Sequence, residues 1–125
     1  MTELRWSVEQ IAPFIHHPEY VVRQWALDRL IKHYPDRGGD WIVSMLADAH
    51  PYIVMNAAAF IGDTRDRARY GARVLDQLTR ADQSTFAYCA QAAGRLGISA
   101  ALPLLVERLQ SKAIRNKPSA FWRVI

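Results

Sequence analysis

The sequence is poor in the residues that build disulfide-bonded, metal-binding and membrane-spanning proteins. It contains a single cysteine, Cys89, so neither an intrachain disulfide nor a C-x-x-C metal or redox motif can form. No apolar run approaches the about 18 residues that a membrane-spanning helix requires. The first ten residues are interrupted by charged residues and lack the apolar core of a signal peptide. We therefore expect a cytoplasmic protein that does not contact a membrane.

Motifs for catalysis and cofactor binding are also lacking. The sequence has no glycine-rich phosphate loop, no G-x-S-x-G and no H-E-x-x-H. His16 and His17 are adjacent, so on a helix they would point about 100° apart, and no two histidines have i, i+4 spacing. We expect no metal, no cofactor and no enzymatic activity, and we interpret Cys89 as a small packing residue.

Acidic residues become scarce in the second half of the chain. Residues 1–62 contain five Lys and Arg against seven Asp and Glu, residues 63–125 contain eleven against five, and no acid follows Glu107. This asymmetry favours attraction to nucleic acid or to an acidic protein face, or it reflects only a soluble, charged surface. The candidate contacts for an anion or a nucleic acid are Arg65, Arg67, Arg69, Arg73, Arg115 and Lys117.

What the chain does contain is a threefold repeat. The stretches that begin at Val22, Ile53 and Tyr88 each have alanine four positions later and leucine or isoleucine eight positions later. Their starts are separated by 31 and 35 residues. Self-similarity at such a period is typical of stacked supersecondary units.

Helix signals surround each repeat. Ser7 and Gln10 form a capping-box pair that predicts the start of the first helix. Hydrophobic spacing and caps predict the other helices: Glu19 to His33, an N-cap at Asp40 with a helix to Ala49, Pro51 to Gly62, 67–79, a cap at Asp82 or Ser84 with a helix to Leu96 that Gly97 ends, a helix capped by Ser99, and a short piece from Ser119. No stretch has the alternating polarity of a half-buried strand, so we predict an all-α protein.

The repeated residues resemble HEAT repeats. They include the VR-x-x-A pattern at 22–26, the paired alanines at 57–58 and 92–93, and the run LGISAALPLLVERL from Leu96. They are most similar to the short bacterial type that phycobilisome lyases also contain, over about residues 6–111. Two departures are that the arginine of the pattern is kept only as Arg23, and that Ile31 stands where Gly62 and Gly97 close the other copies.

The resemblance implies an α-solenoid of three to four helical hairpins in a single domain over 1–125. The hairpins are predicted at about 6–34, 40–62, 66–97 and 99–125, the last one incomplete or capping. In HEAT proteins the second helix of each pair usually lines the concave surface. With the repeated positions 0, 4 and 8 buried, positions 2, 5 and 6 are predicted to face outward there: Gln24, Leu27, Asp28, Met55, Ala58, Ala59, Ala90, Ala93 and Gly94.

We therefore expect a noncatalytic scaffold for protein–protein interaction that takes a partner helix or peptide on this small, apolar surface. The alternative reading of the alanines is that they are simply the best helix formers.

Two further hypotheses come from the same sequence. The first is that the basic half of the chain binds a nucleic-acid backbone, or acts like the alkylpurine DNA glycosylases, which also have HEAT-like repeats. Trp25, Asp28 and Arg29 are residue types that these glycosylases use. They do not match an arrangement that can be carried over to this chain. A lyase activity is less favoured, because the repeat alone has no chemistry. The second is self-association, because the apolar residues Phe121, Trp122, Val124 and Ile125 must either fold back or be covered by another subunit.

Overall fold

The computed structural model describes residues 6–115, with side chains as far as Ser111. Within this part every regular element is helical and there is no strand, so the all-α prediction is confirmed. The α-helices are α1 (Val8–Ile11), α2 (Tyr20–His33), α3 (Gly39–Ser44), α4 (Pro51–Thr64), α5 (Arg67–Arg80), α6 (Phe86–Leu96) and α7 (Leu102–Arg115). Short 3₁₀ helices cover Ala12–His16, Met45–Ala47 and Ser99–Ala101.

The longer helices that contain the three repeats pack side by side in chain order. Helix α4 lies between α2 and α6 and contacts both. Each of the three also packs on the helical segment that precedes it: α2 on α1 and the first 3₁₀ helix, α4 on α3 and the second 3₁₀ helix, and α6 on α5. Each repeat helix therefore packs against the segment that precedes it, and α4 also packs against the other two repeat helices.

The core is continuous across these contacts because each repeat helix has a wide apolar side. Helix α4 buries the most residues: Ile53, Val54, Ala57, Ala58, Ile61 and Gly62. Ala57 and its equivalent Ala92 are buried on the contacting helices α4 and α6, and a small side chain in a helix contact lets the two axes come near each other. The repeated alanines are thus part of the packing.

Several predicted helix ends are confirmed. Ser7 and Gln10 form the capping box: the Ser7 Oγ accepts from the Gln10 N–H at 3.1 Å, and the Gln10 Oε1 accepts from the Ser7 N–H at 2.9 Å. Gly97 ends α6 in the left-handed conformation, with φ of 70°. Helix α2 ends at His33, as predicted.

Other predicted helix ends are wrong. Helix α4 continues past the predicted end at Gly62 to Thr64 and is capped by Arg65, which adopts φ of 55°, so only residues 65 and 66 separate it from α5. The continuation brings Asp63 within 2.7 Å of the Arg95 guanidinium of α6, an ion pair that sequence spacing does not reveal. Gly62 instead lies buried where an added Cβ would meet the Arg95 side chain at 3.1 Å.

The starts of three helices also differ from the prediction. Helix α3 begins at Gly39, so Asp40 lies in its first turn rather than at the N-cap, and the α-helical part ends at Ser44 before a 3₁₀ turn. Helix α6 begins after Thr85 because the Asp82 carboxylate accepts from the Thr85 N–H and holds a turn there. Ser99 opens a 3₁₀ turn and does not cap α7. The predicted piece from Ser119 lies outside the described residues.

We predict that Ala57→Leu and Ala92→Leu each lower the free energy of unfolding by about 1 to 3 kcal/mol, because extra methyl groups have no space between packed helices. Urea denaturation monitored by circular dichroism would measure the loss. Ala72→Leu is the matched control, since Ala72 is an exposed alanine on α5. Equal stability of all three variants would contradict the packing described for these alanines.

Candidate partner-binding surface

The outward side of α2, α4 and α6 contains some of the predicted partner contacts but not all of them. Asp28, Ala59 and Gly94 are exposed, and Gln24, Met55 and Ala90 are half-buried. Leu27, Ala58 and Ala93 are buried, which contradicts their predicted exposure. These last three side chains cannot contact a partner in the folded chain.

The error has a geometric cause. At 100° per residue, position 5 of the repeat lies only about 60° from the buried position 8. The prediction assumed that each repeat helix is covered from one side. Because α4 is packed on its preceding segment and also between α2 and α6, its buried arc is wider and includes position 5.

The outward side includes residues that the sequence interpretation missed. Val21 is 64% exposed and Tyr52 is 54% exposed. Each lies seven residues, or two helical turns, before a residue that is also exposed: Val21 before Asp28, and Tyr52 before Ala59. The i, i+7 spacing was the available signal, and it also pairs Ala87 with Gly94. We call the surface made by these six residues the ridge surface.

Polar groups around the ridge surface are largely satisfied by one another. The Gln24 Nε2 donates to the Asp28 Oδ1 at 3.1 Å, and the Asn56 Nδ2 donates to the Gln24 Oε1 at 3.5 Å, which joins α2 to α4. What remains directed outward is apolar at the Val21 and Tyr52 end and small toward α6.

A largely buried ion pair fixes the segments from which α2 and α4 start. The Arg23 guanidinium bonds to both Asp48 carboxylate oxygens, at 2.8 and 3.0 Å, and donates to the backbone oxygens of His17 and Pro18 at 2.9 and 3.1 Å. Asp48 also accepts from the His50 N–H at 2.8 Å. Bidentate, charge-assisted bonds of this kind impose a definite geometry. The ion pair therefore holds the two helix starts in register.

Aromatic side chains pack beside the segments that the Arg23 and Asp48 ion pair joins. The Tyr20 ring stacks on the His50 ring with centroids 4.0 Å apart and planes 15° apart. The His50 Nδ1 accepts from the Tyr52 N–H at 3.2 Å and so caps α4. Tyr20 adjoins the ridge surface beside Val21, and these two residues together with Tyr52 form its exposed apolar end. The backbone bond from Tyr52 to His50 helps to fix the position of this end.

Nothing in the described fold requires glycine at position 94. An added Cβ there would meet nothing within 4 Å, and Gly97 is the glycine with positive φ among the described residues. Gly39 differs, because a Cβ there would collide with the Tyr70 hydroxyl and come within 2.8 Å of the Arg69 guanidinium. Glycine inside a helix costs about 0.5 to 1 kcal/mol relative to alanine, so Gly94 weakens α6 without a packing benefit.

The structure does not assemble the predicted basic cluster as a set of free guanidinium groups. Arg69 pairs with Asp36 at 2.8 Å and donates to its backbone oxygen at 2.6 Å, while Arg67 donates to the Gly97 oxygen at 3.0 Å. Arg65 and Arg73 are exposed and bond to no other side chain within residues 6–111. The Arg115 side chain and Lys117 lie outside the described part.

Two of the three residues weighed for a glycosylase-like site, Trp25 and Asp28, have contacts within the fold. Trp25 packs edge-to-face on Trp6 and Phe14, with centroids 6.1 and 5.9 Å apart, and Asp28 accepts from Gln24. Across the described chain, no three His, Cys, Asp or Glu side chains come together in a group suited to a metal ion. None of the described helices is both long and apolar enough to cross a bilayer.

Cys89 is the buried packing residue that the sequence predicted. Burial raises the pKa of its thiol to about 11, and the nearby Asp82 charge acts in the same direction. Because the thiolate is the reactive form, this raised pKa keeps Cys89 inert at neutral pH.

We predict that Asp48→Ala lowers the free energy of unfolding by about 3 kcal/mol, because it leaves the largely buried Arg23 guanidinium without its counter-charge. Chemical denaturation would measure the loss. Asp76→Ala is the matched control: its ion pair with Arg80 is exposed on α5 and should contribute less than about 1 kcal/mol. A loss no larger than that of the control would show that the junction does not depend on the pair.

The chain matches no protein-family model, no curated protein and no solved structure. The ridge surface has two of the exposed large apolar side chains of the described residues, Val21 and Tyr52.

Proposed function

We propose that the protein is a noncatalytic HEAT-type helical scaffold that binds a helix or an extended segment of a partner protein on the ridge surface. The observation that supports this function most is the exposed apolar end formed by Tyr20, Val21 and Tyr52, which lies beside small residues on α4 and α6. Tyrosine is enriched in protein interfaces, since it offers a large apolar contact and a hydroxyl group together.

The small residues add a second argument for a protein partner. Ala59, Ala87 and Gly94 are exposed along the part of the surface that follows Tyr52. Low side chains let the backbone of a bound helix approach the helices beneath it. A partner that packs there would give Gly94 the role that the fold itself does not give it.

The HEAT-type architecture is supported by the order of contacts. Each repeat helix packs on its preceding segment, α4 packs on both other repeat helices, and Arg23 on α2 bonds to Asp48, which lies in the link before α4. Stacked units of this kind gain stability from their neighbours and present an extended surface.

Binding to a nucleic-acid backbone is the competing function, and the charge difference between the two halves of the chain favours it. The support for this function is weakened because Arg67 and Arg69 already bond to groups within the fold. We place it second for that reason. A glycosylase-like activity has less support still, because the half-buried Trp25 ring packs on Trp6 and Phe14.

If the partner lies on the ridge surface, Ala59→Arg should reduce its capture about tenfold or more, since a long charged side chain would stand in the contact. The melting temperature should not change, because Ala59 is exposed. Immobilised wild-type and variant proteins would be compared by quantitative mass spectrometry of bound lysate proteins. Ala72→Arg is the matched control on α5, and equal capture by both variants would exclude this surface.

Gly94→Ala should raise the free energy of unfolding by about 0.5 to 1 kcal/mol, because alanine restricts the unfolded chain and fits the open space on α6. It should also weaken partner capture, since the added methyl group stands where the bound backbone approaches. Thermal denaturation and the same capture assay would measure the two effects. Raised stability with unchanged capture would show that the partner does not approach α6 at Gly94.

Salt dependence separates the competing function from the proposed one. A phosphate-binding protein should shift labelled DNA or RNA in a gel at about 50 mM salt and lose this binding steeply as salt rises. We expect no shift at low salt. A shift that disappears in Arg65→Ala/Arg73→Ala would instead establish a nucleic-acid surface on the side of α5.

A further inference from the structure

Two histidines, each followed by proline, hold the starts of α2 and α4 in the same way. His17 and His50 both have extended backbones, with ψ of 141° and 119°. Proline has no backbone N–H, so the amide of the residue after it is the first that needs an acceptor. The His17 Nδ1 accepts from the Glu19 N–H at 3.0 Å, and the His50 Nδ1 accepts from the Tyr52 N–H at 3.2 Å.

Both bonds require a neutral imidazole ring. A backbone N–H is only a donor, so the Nδ1 that accepts from it has a free lone pair and the ring proton lies on Nε2. Among residues 6–111, neither amide has another acceptor. Histidine is the side chain that ordinarily gains its charge between pH 8 and pH 5. A proton on Nδ1 places two donors face to face, so each bond is present at high pH and is lost as the pH falls.

The two histidines are connected through one ion pair. Arg23 donates to the His17 backbone oxygen at 2.9 Å, and Asp48, which bonds to Arg23, accepts from the His50 N–H at 2.8 Å. Because Arg23 and Asp48 are bonded to each other, their effects on a proton at either ring oppose one another. The charged or titratable side chains beside the two rings, from the first 3₁₀ helix, α2, the link before α4 and α4 itself, are His16, Glu19, Tyr20, Arg23, Asp48 and Tyr52.

The same rings hold the aromatic residues at the apolar end of the ridge surface. Tyr52 is exposed, and its own amide is the donor to His50. Tyr20 is the first residue of α2, directly after Glu19, and its ring stacks on the His50 ring. Loss of the two bonds would therefore act on the turns that present both tyrosines.

We propose that His17 and His50 make the apolar end of the ridge surface sensitive to acid. A proton on each Nδ1 removes the acceptor of the amide two residues later, and the first turns of α2 and α4 loosen. Tyr20 and Tyr52 lie in those turns and lose their fixed positions. This acid response belongs to the fold and does not depend on the proposed function. If a partner does bind at this end, acid weakens its binding.

Nuclear magnetic resonance on the full chain tests the response. At pH 8, long-range ¹H–¹⁵N spectra should show His17 and His50 with the ring proton on Nε2. Between pH 8 and pH 5, the protection of the Tyr52 amide against hydrogen exchange, relative to its intrinsic rate, should fall about fivefold or more. Protection that does not change with pH would overturn the proposal.

The start of α6 provides an internal control. There the Asp82 carboxylate accepts from the Thr85 N–H at 3.0 Å, in place of a histidine ring. Hydrogen bonds from the Ser84 and Thr85 side chains lower the pKa of this carboxyl, so it stays charged between pH 8 and pH 5. The Thr85 amide should keep its protection over this range. An equal fall at Thr85 would assign the response to general loosening and overturn the role of the histidines.

His50→Asn separates titration from capping. Asparagine accepts from backbone amides at helix starts and does not titrate, so the Tyr52 amide should have equal protection at pH 8 and pH 5. The Glu19 amide should still lose protection through His17. His33→Asn, at the other end of α2, is the matched control and should leave both responses as in the wild type. A response of Tyr52 that persists in His50→Asn would contradict the proposal.

Discussion

Burial of α4 on three sides is the constraint on which the rest of the described fold depends. Its apolar arc runs from Ile53 through Ala58 to Gly62, which is too wide for one neighbouring helix to cover. The segment before it, α2 and α6 share this task. Close packing then requires small residues where the helices contact each other. Because the buried arc of α4 is wide, only a narrow strip of the helix remains exposed to solvent.

The Arg23 and Asp48 ion pair connects this core to the surface. Hydrophobic packing is weakly directional, whereas a largely buried pair of charges is stable only when nearly all of its bonds are made. By bonding to the backbone before α2 and beside α4, the pair fixes where those helices start. The exposed side chains of Tyr20 and Tyr52 are positioned by the same bonds.

Much of the fold was predictable because its signals are local. The capping box at Ser7, the stop at Gly97 and the burial of Ala57 and Ala92 follow from short-range pattern and repetition. The burial of positions that a neighbouring repeat covers could not be predicted from local pattern. Ala58 and Ala93 were assigned to the surface, yet their burial depends on how wide an arc the adjacent helices cover.

The sequence by itself determined the helical class, the threefold spacing and the absence of a disulfide, since each depends on residues near one another in the chain. Only the tertiary structure decided which outward residues remain exposed. It left Val21 and Tyr52 exposed, paired Arg69 with Asp36, and extended α4 so that Asp63 meets Arg95. These outcomes depend on contacts between residues about 30 positions apart, whose distance in space a linear pattern does not specify.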